Sequence, residues 1–130
     1  SIPLSNESGT VTAFYPSGQK AREMVLKNGY IEGMRIAYYT NGNKYLEANF
    51  INDDSDGPYK EYYPNGQLKI SQETKHGENN GLEKIYYDNG VLKSECWYVN
   101  DRKYGSEKIY DKTGKLLKTY RYVNGYAFEK

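Results

Sequence analysis

The chain has 130 residues, with 18 lysines and arginines against 17 aspartates and glutamates and a net charge of +1, so no strong field favours nucleic acid or an anionic membrane surface. A mean hydropathy of −0.96 with 37% hydrophobic residues would suit disorder, because little apolar surface is available to offset the entropy of ordering the chain. Sixteen tyrosines reverse that expectation, since a tyrosine ring packs while its hydroxyl stays wet, which suits a thin structure without a deep core.

Glycine recurs at Gly9, Gly33, Gly57, Gly81 and Gly105, a step of 24 residues, and a second series follows at Gly18, Gly42, Gly66, Gly90 and Gly114. A fixed period of this length predicts short units that stack to bury what none can bury alone. One domain is expected: residues 1–8 as an N-terminal cap or opening strand, then repeats at 9–32, 33–56, 57–80, 81–104 and 105–130. Almost nothing is left over for a separate catalytic domain. No apolar run approaches the ~18 residues of a membrane span.

Within each repeat, counting the opening glycine as zero, position five is Phe14, Tyr38, Tyr62, Tyr86 or Tyr110 and position six is Tyr15, Tyr39, Tyr63, Tyr87 or Asp111. The segments Pro16-Ser17-Gly18, Thr40-Asn41-Gly42, Pro64-Asn65-Gly66, Asp88-Asn89-Gly90 and Lys112-Thr113-Gly114 then predict a type I turn whose glycine takes positive φ, the three-residue hairpin loop with a bulge. A β-prone stretch follows to Leu26, Phe50, Thr74, Tyr98 or Tyr122, and a polar turn at Asn28-Gly29, Asn52-Asp53, His76-Gly77 or Asn100-Asp101 closes the repeat. The fold class expected is all-β, an elongated antiparallel meander of about ten strands, roughly 45–50 Å long at ~4.8 Å per strand.

Pairing of position six with ten predicts two faces of unbroken parity. Odd positions form the packing face: the position-five aromatics with Leu68, Leu92, Leu116, Leu46, Ile70, Met24, Leu26, Phe50, Tyr98 and Tyr122. Even positions form a wet face, with Tyr15, Tyr39, Tyr63 and Tyr87 beside Glu23, Glu47, Glu95, Lys69, Lys93, Gln19, Asn43 and Gln67. End repeats should depart from the pattern. Asp111, Lys20 and Arg22 do so, and Tyr126-Ala127-Phe128 remains to close the C-terminal edge.

Aromatic-Tyr-Pro-Asn-Gly followed by Leu-Lys and then an aromatic and Asn-Gly resembles the bacterial variant of the MORN repeat, most clearly at Tyr62-Tyr63-Pro64-Asn65-Gly66-Gln67-Leu68-Lys69 and Tyr86-Tyr87-Asp88-Asn89-Gly90-Val91-Leu92-Lys93. The resemblance runs from about Gly9 to the C-terminus. It implies elongated antiparallel sheets acting as interaction surfaces, among proteins similar to YwqK-type antitoxins or to exported 24-residue repeat proteins, and it carries over no catalytic residue.

The chemistry-bearing residues point the same way. His76 occupies a turn position held elsewhere by Asn28, Asn52, Asn100 and Asn124. Cys96 stands where other repeats carry Met24, Ala48, Gln72 and Tyr120, as a small packing residue. One histidine and one cysteine do not make a zinc site, and no nucleophile elbow, P-loop or dinucleotide pattern occurs. Asn52-Asp53-Asp54-Ser55-Asp56-Gly57 resembles a calcium loop, but Tyr63 stands where the bidentate glutamate belongs, leaving a weak acidic-turn candidate in Asp53, Asp54 and Asp56.

No cofactor and no catalysis are expected. The position-six tyrosines have two readings: cross-strand packing, or, with Trp97, a partner-binding surface, since tyrosine and tryptophan are enriched at interfaces. The expected function is protein binding of the immunity or antitoxin kind, directed at a cognate toxin. The alternative is an exported or cell-surface protein that binds glycan or envelope components. Contact with lipid is disfavoured by the near-neutral charge, and exposed sheet edges would permit an edge-to-edge homodimer. Localisation follows function: bacterial cytoplasm for an antitoxin, envelope or exterior if an export signal preceded Ser1.

Overall fold

Two kinds of turn build the chain, and the residues of each account for its shape. In the computed structural model, which describes residues 7–129, Tyr15, Tyr39, Tyr63 and Tyr87 donate their N–H to the carbonyls of Gln19, Asn43, Gln67 and Val91 at 2.8–2.9 Å, and the glycine N–H of each turn bonds back to the tyrosine carbonyl. Gly18, Gly42, Gly66, Gly90 and Gly114 lie at φ of 92, 91, 90, 87 and 93°, the left-handed region a Cβ disfavours. This is the three-residue loop with a glycine bulge expected from the sequence. The second turn is a two-residue type I′ turn, with left-handed φ at both Asn28 and Gly29, Asn52 and Asp53, His76 and Gly77, Asn100 and Asp101, and Asn124 and Gly125. Its twist matches that of the strands it joins.

The strands are β1 (Gly9–Phe14), β2 (Lys20–Lys27), β3 (Tyr30–Ile31), β4 (Gly33–Tyr38), β5 (Lys44–Ile51), β6 (Asp54–Tyr62), β7 (Leu68–Lys75), β8 (Glu78–Asn79), β9 (Gly81–Tyr86), β10 (Leu92–Val99), β11 (Arg102–Tyr110), β12 (Leu116–Val123) and β13 (Tyr126–Glu129). They form one antiparallel sheet in chain order, with β3 hung on β2 and β8 on β7. Among the described residues there is no helix. The count exceeds ten because Glu32 and Asn80 interrupt two strands, each donating its N–H at 2.9 Å to the preceding strand, and because β13 adds a closing strand. The proposed opening strand at 1–8 falls largely on residues 1–6, outside the described residues. Glu7 and Ser8 accept from the N–H groups of Gly29 and Asn28 at 2.9 and 3.0 Å.

The register corrects the expected faces. Position five pairs with eleven, as in Tyr62 with Leu68, but the next pair is Glu61 with Ile70, so Lys69 is an extra, bulged residue. Ala21, Tyr45, Lys93 and Leu117 hold the same place. A one-residue bulge inverts every side chain beyond it. Position fourteen, with Glu23, Glu47 and Glu95, therefore shares a face with the position-five aromatics. Leu46, Ile70, Met24, Leu26, Phe50, Tyr98 and Tyr122 project to the other face with positions zero, two and four.

That second, inner face holds the core. All six buried side chains, Leu26, Ala48, Gln72, Thr74, Cys96 and Glu107, belong to it. Its central row runs across the strands through Arg35, Ala48, Tyr59, Gln72, Glu83, Cys96, Glu107 and Tyr120. Ala48 is 1% and Cys96 2% exposed, the small residues this crowded row admits. Glu107 is buried with its charge met, its carboxylate accepting from Lys103 Nζ at 2.9 Å and the Tyr122 hydroxyl at 2.8 Å.

Repeats two and four also share features that the odd repeats lack. Ile31 and Asn79 N–H groups bond to the carboxylates of Asp53 and Asp101, both at 2.6 Å, at equivalent places 48 residues apart. The 24-residue repeat is thus modulated in pairs.

Candidate functional site

The position-six tyrosines join repeat to repeat. Tyr15, Tyr39, Tyr63 and Tyr87 each donate the hydroxyl to the position-five carbonyl of the next repeat, on Tyr38, Tyr62, Tyr86 and Tyr110, at 2.6, 2.6, 2.6 and 2.8 Å. All four are half-buried. The ammonium groups of Lys69 and Lys93 lie 5.6 Å from the ring centres of Tyr63 and Tyr87, and Tyr45 meets Tyr39 edge-on at 5.3 Å. Beside them Asn41, Asn65 and Asn89 donate to Pro64, Asp88 and Lys112 carbonyls at 2.9, 2.9 and 3.1 Å. The second turns repeat the device, with Gly29, Asp53, Gly77 and Asp101 N–H groups bonding to Glu7, Ile31, Ser55 and Asn79 carbonyls. Three ladders of hydrogen bonds therefore run along the stack.

The tyrosines at position five belong to the outer face. Tyr38 donates to Glu23 at 2.8 Å and Tyr62 to Glu47. These hydrogen bonds hold both carboxyls below their ordinary values. Burial, reinforced by the Glu47 carboxylate, pushes Tyr62 up to about 12.

The same face carries two depressions. The first, of about 240 Å³, is lined by Met34, Glu47, Pro58 and Lys60. The second, of about 400 Å³, is lined by Leu82, Glu95, Trp97, Ser106 and Lys108. Met34 and Leu82, Glu47 and Glu95, Pro58 and Ser106, and Lys60 and Lys108 are each 48 residues apart, so these are one site built twice, about 19 Å apart across four strand spacings. Each places an apolar floor between a carboxylate and an ammonium group.

The two differ at one informative position. Asn49 stands in the first, where its amide donates to the Asp56 carbonyl at 2.9 Å and closes the irregular pairing at Gly57. Its counterpart is Trp97, opposite Leu82 on one side and Tyr104 on the other. The Trp97 and Tyr104 rings lie 6.4 Å apart, inclined at 42°, and Trp97 remains 46% exposed. The fold's need here is met by a small polar residue, whereas Trp97 presents an indole to solvent.

The other candidates separate. His76 is a turn residue with an exposed side chain, its ring 3.9 Å from Asp56. Asp53 accepts from the Ile31 N–H and Asp56 from the His76 N–H at 3.3 Å, so two of the three acidic-turn carboxylates brace backbone. Among the described residues no three histidine, cysteine or acidic side chains converge on a metal position. Burial pushes the Cys96 thiol up to about 11, so little thiolate forms at neutral pH. Sequence reasoning named Trp97 but placed it by residue type alone. The signal available was the 48-residue comparison, in which tryptophan replaces asparagine.

No curated protein matches the chain. Among protein families, the MORN repeat variant matches at residues 7–28, 31–52, 55–76, 79–100 and 103–124, in phase with the hairpins described above and covering most of the chain. The chain therefore belongs to the MORN repeat variant family, as a five-repeat module whose stacked sheet suits binding.

Proposed function

We propose that the chain is a non-enzymatic protein-binding module of the immunity or antitoxin kind, which neutralises a partner toxin by covering it with the outer face. The carrying observation is Trp97: a large aromatic, half exposed, held against Leu82 and Tyr104 between Glu95 and Lys108, where the equivalent site needs only Asn49. Tryptophan in a depression with a charged rim is the composition of an interface anchor. The toxin partner rests on the family resemblance, and the outer face rests on the geometry.

The test exchanges Trp97→Asn, which imports the residue of the equivalent site and leaves the pairing around it intact. A stoichiometric protein captured from the native source by the parent chain, and bound at least tenfold more weakly by the variant, supports the reading. Relief of that protein's toxicity on co-expression supports the finer one. Unchanged affinity refutes the outer face. The Trp97 and Tyr104 pair would also stack on a sugar ring, so capture of envelope polysaccharide in place of protein decides for the exported, glycan-binding alternative.

A further inference from the structure

Repeat five lacks both side chains that tie one repeat to the next along the first-turn edge. Position six is Asp111 in place of tyrosine, and position eight is Thr113 in place of the asparagine of repeats two to four. Asp111 Oδ1 accepts from the Thr113 N–H at 2.9 Å, the Thr113 hydroxyl at 2.6 Å and the Lys115 N–H at 3.0 Å. The carboxylate closes its own turn and reaches no neighbour, so this edge is not shaped for a sixth repeat.

The strand beside it is nevertheless half open. In the interior, positions thirteen and fourteen pair with positions four and three of the following repeat, as Leu46 and Glu47 do with Glu61 and Lys60, and Ser94 and Glu95 with Ile109 and Lys108. In β12, Leu116–Thr119 pair with β11 on one side. On the other side β13 covers only Tyr120–Val123. Among the described residues no strand lies along the remaining stretch, and Leu116 and Leu117 are 48% and 56% exposed there. A row of backbone donors and acceptors beside exposed leucines is a template for an added strand.

The charge around this notch specifies the occupant. Within residues 108–123, Lys108, Lys112, Lys115, Lys118 and Arg121 stand against Asp111 alone, while the whole chain is +1. All five cations are exposed, and Asp111 is already engaged by its turn. We propose that the Leu116–Thr119 edge receives an extended acidic segment of a partner protein as an added antiparallel strand. This edge is separate from the outer-face depression and does not depend on it. A second copy of the chain fits poorly. Two such edges would bring like charges together, and β1 offers no carboxylate between Gly9 and Phe14. Glu7 and Ser8 also hold the repeat positions that Ala127 and Phe128 already fill, so copies stacked in register would put two strands in one place.

The test is a nuclear magnetic resonance titration of the whole chain with a synthetic peptide of about eight residues alternating Glu and Val, a length typical of a strand. The expected result is shift changes and slowed amide exchange confined to Lys115–Arg121 and the neighbouring β13 residues. N-methylation along one edge of the peptide should abolish the effect, while methylation along the other should spare it. The exposed changes Lys115→Glu and Arg121→Glu together should weaken binding roughly tenfold, and added salt should weaken it further. Shift changes elsewhere, equal tolerance of both methylated peptides, or no response at millimolar peptide would overturn the proposal. Sedimentation showing self-association through this edge would also overturn it, in favour of a second copy.

Discussion

The tyrosine ladder makes a prediction with a calculable size. Tyr63→Phe removes the hydroxyl that donates to the Tyr86 carbonyl at 2.6 Å and leaves the ring beneath Lys69 in place. The expected cost is about 1 kcal/mol, the net value of a partly buried hydrogen bond. With a urea dependence of about 1.5 kcal/mol per molar for a chain of this size, the unfolding midpoint should fall by about 0.7 M. Stability in a repeat array adds intrinsic and neighbour contributions, so Tyr39→Phe, Tyr63→Phe and Tyr87→Phe combined should lose about 3 kcal/mol, with a broadened transition as coupling between repeats weakens. Tyr126→Phe, at a residue 74% exposed, serves as the control and should be neutral. Urea denaturation followed by circular dichroism measures all three. A triple variant with the parent midpoint would refute the ladder as a source of stability. If that variant also lost its partner, the hydroxyls would belong to a binding surface instead.

Three further outcomes follow from single sites. At Gly81, φ is 138° and an added Cβ would lie 3.0 Å from the Glu73 Cβ, so Gly81→Ala should cost about 2 kcal/mol or more, from strain plus crowding; at Gly105, φ is 73° with open space, so Gly105→Ala should cost about 1 kcal/mol, and thermal melts of the pair will show whether the order holds. Cys96, 2% exposed with its thiol pushed up to about 11 by burial, should resist an aromatic disulfide reagent at pH 8 in the native chain and react fully in urea; prompt native labelling would contradict its burial. Tyr59, Tyr62 and Tyr98 are each raised to about 12, burial first among the causes. A folded value above the unfolded 10 gives stability that is complete below pH 10 and lost as pH rises through 12, so ultraviolet titration should show late tyrosine ionisation coincident with alkaline unfolding, and an early, uncoupled titration of all tyrosines would count against it.

Much of the fold was legible because turns are local. The glycine nine residues into each repeat and the Asn-Gly or Asn-Asp pairs declare their φ requirements within three or four residues, and both turn types formed where those residues stand. The faces were not legible beyond position eleven. Parity assumes unbroken alternation, and the bulge at Ala21, Tyr45, Lys69, Lys93 and Leu117 comprises residues of no common type, so nothing local announced it. Its consequence is visible only in pairs such as Tyr62 with Glu47, which are distant in sequence and meet across strands.

The site divides the same way. Composition and spacing alone established a repeat, an all-β meander, the turn chemistry and the supply of aromatic side chains, because each is a property of one residue or of neighbours along the chain. Only the tertiary structure decided what those aromatics do. Stacking brings each position-six hydroxyl to a carbonyl 23 residues away and thereby assigns that row to holding repeats together. The same stacking sets Trp97 beside Leu82 and Tyr104 with its indole half in water, since which surface remains uncovered depends on what packs against it.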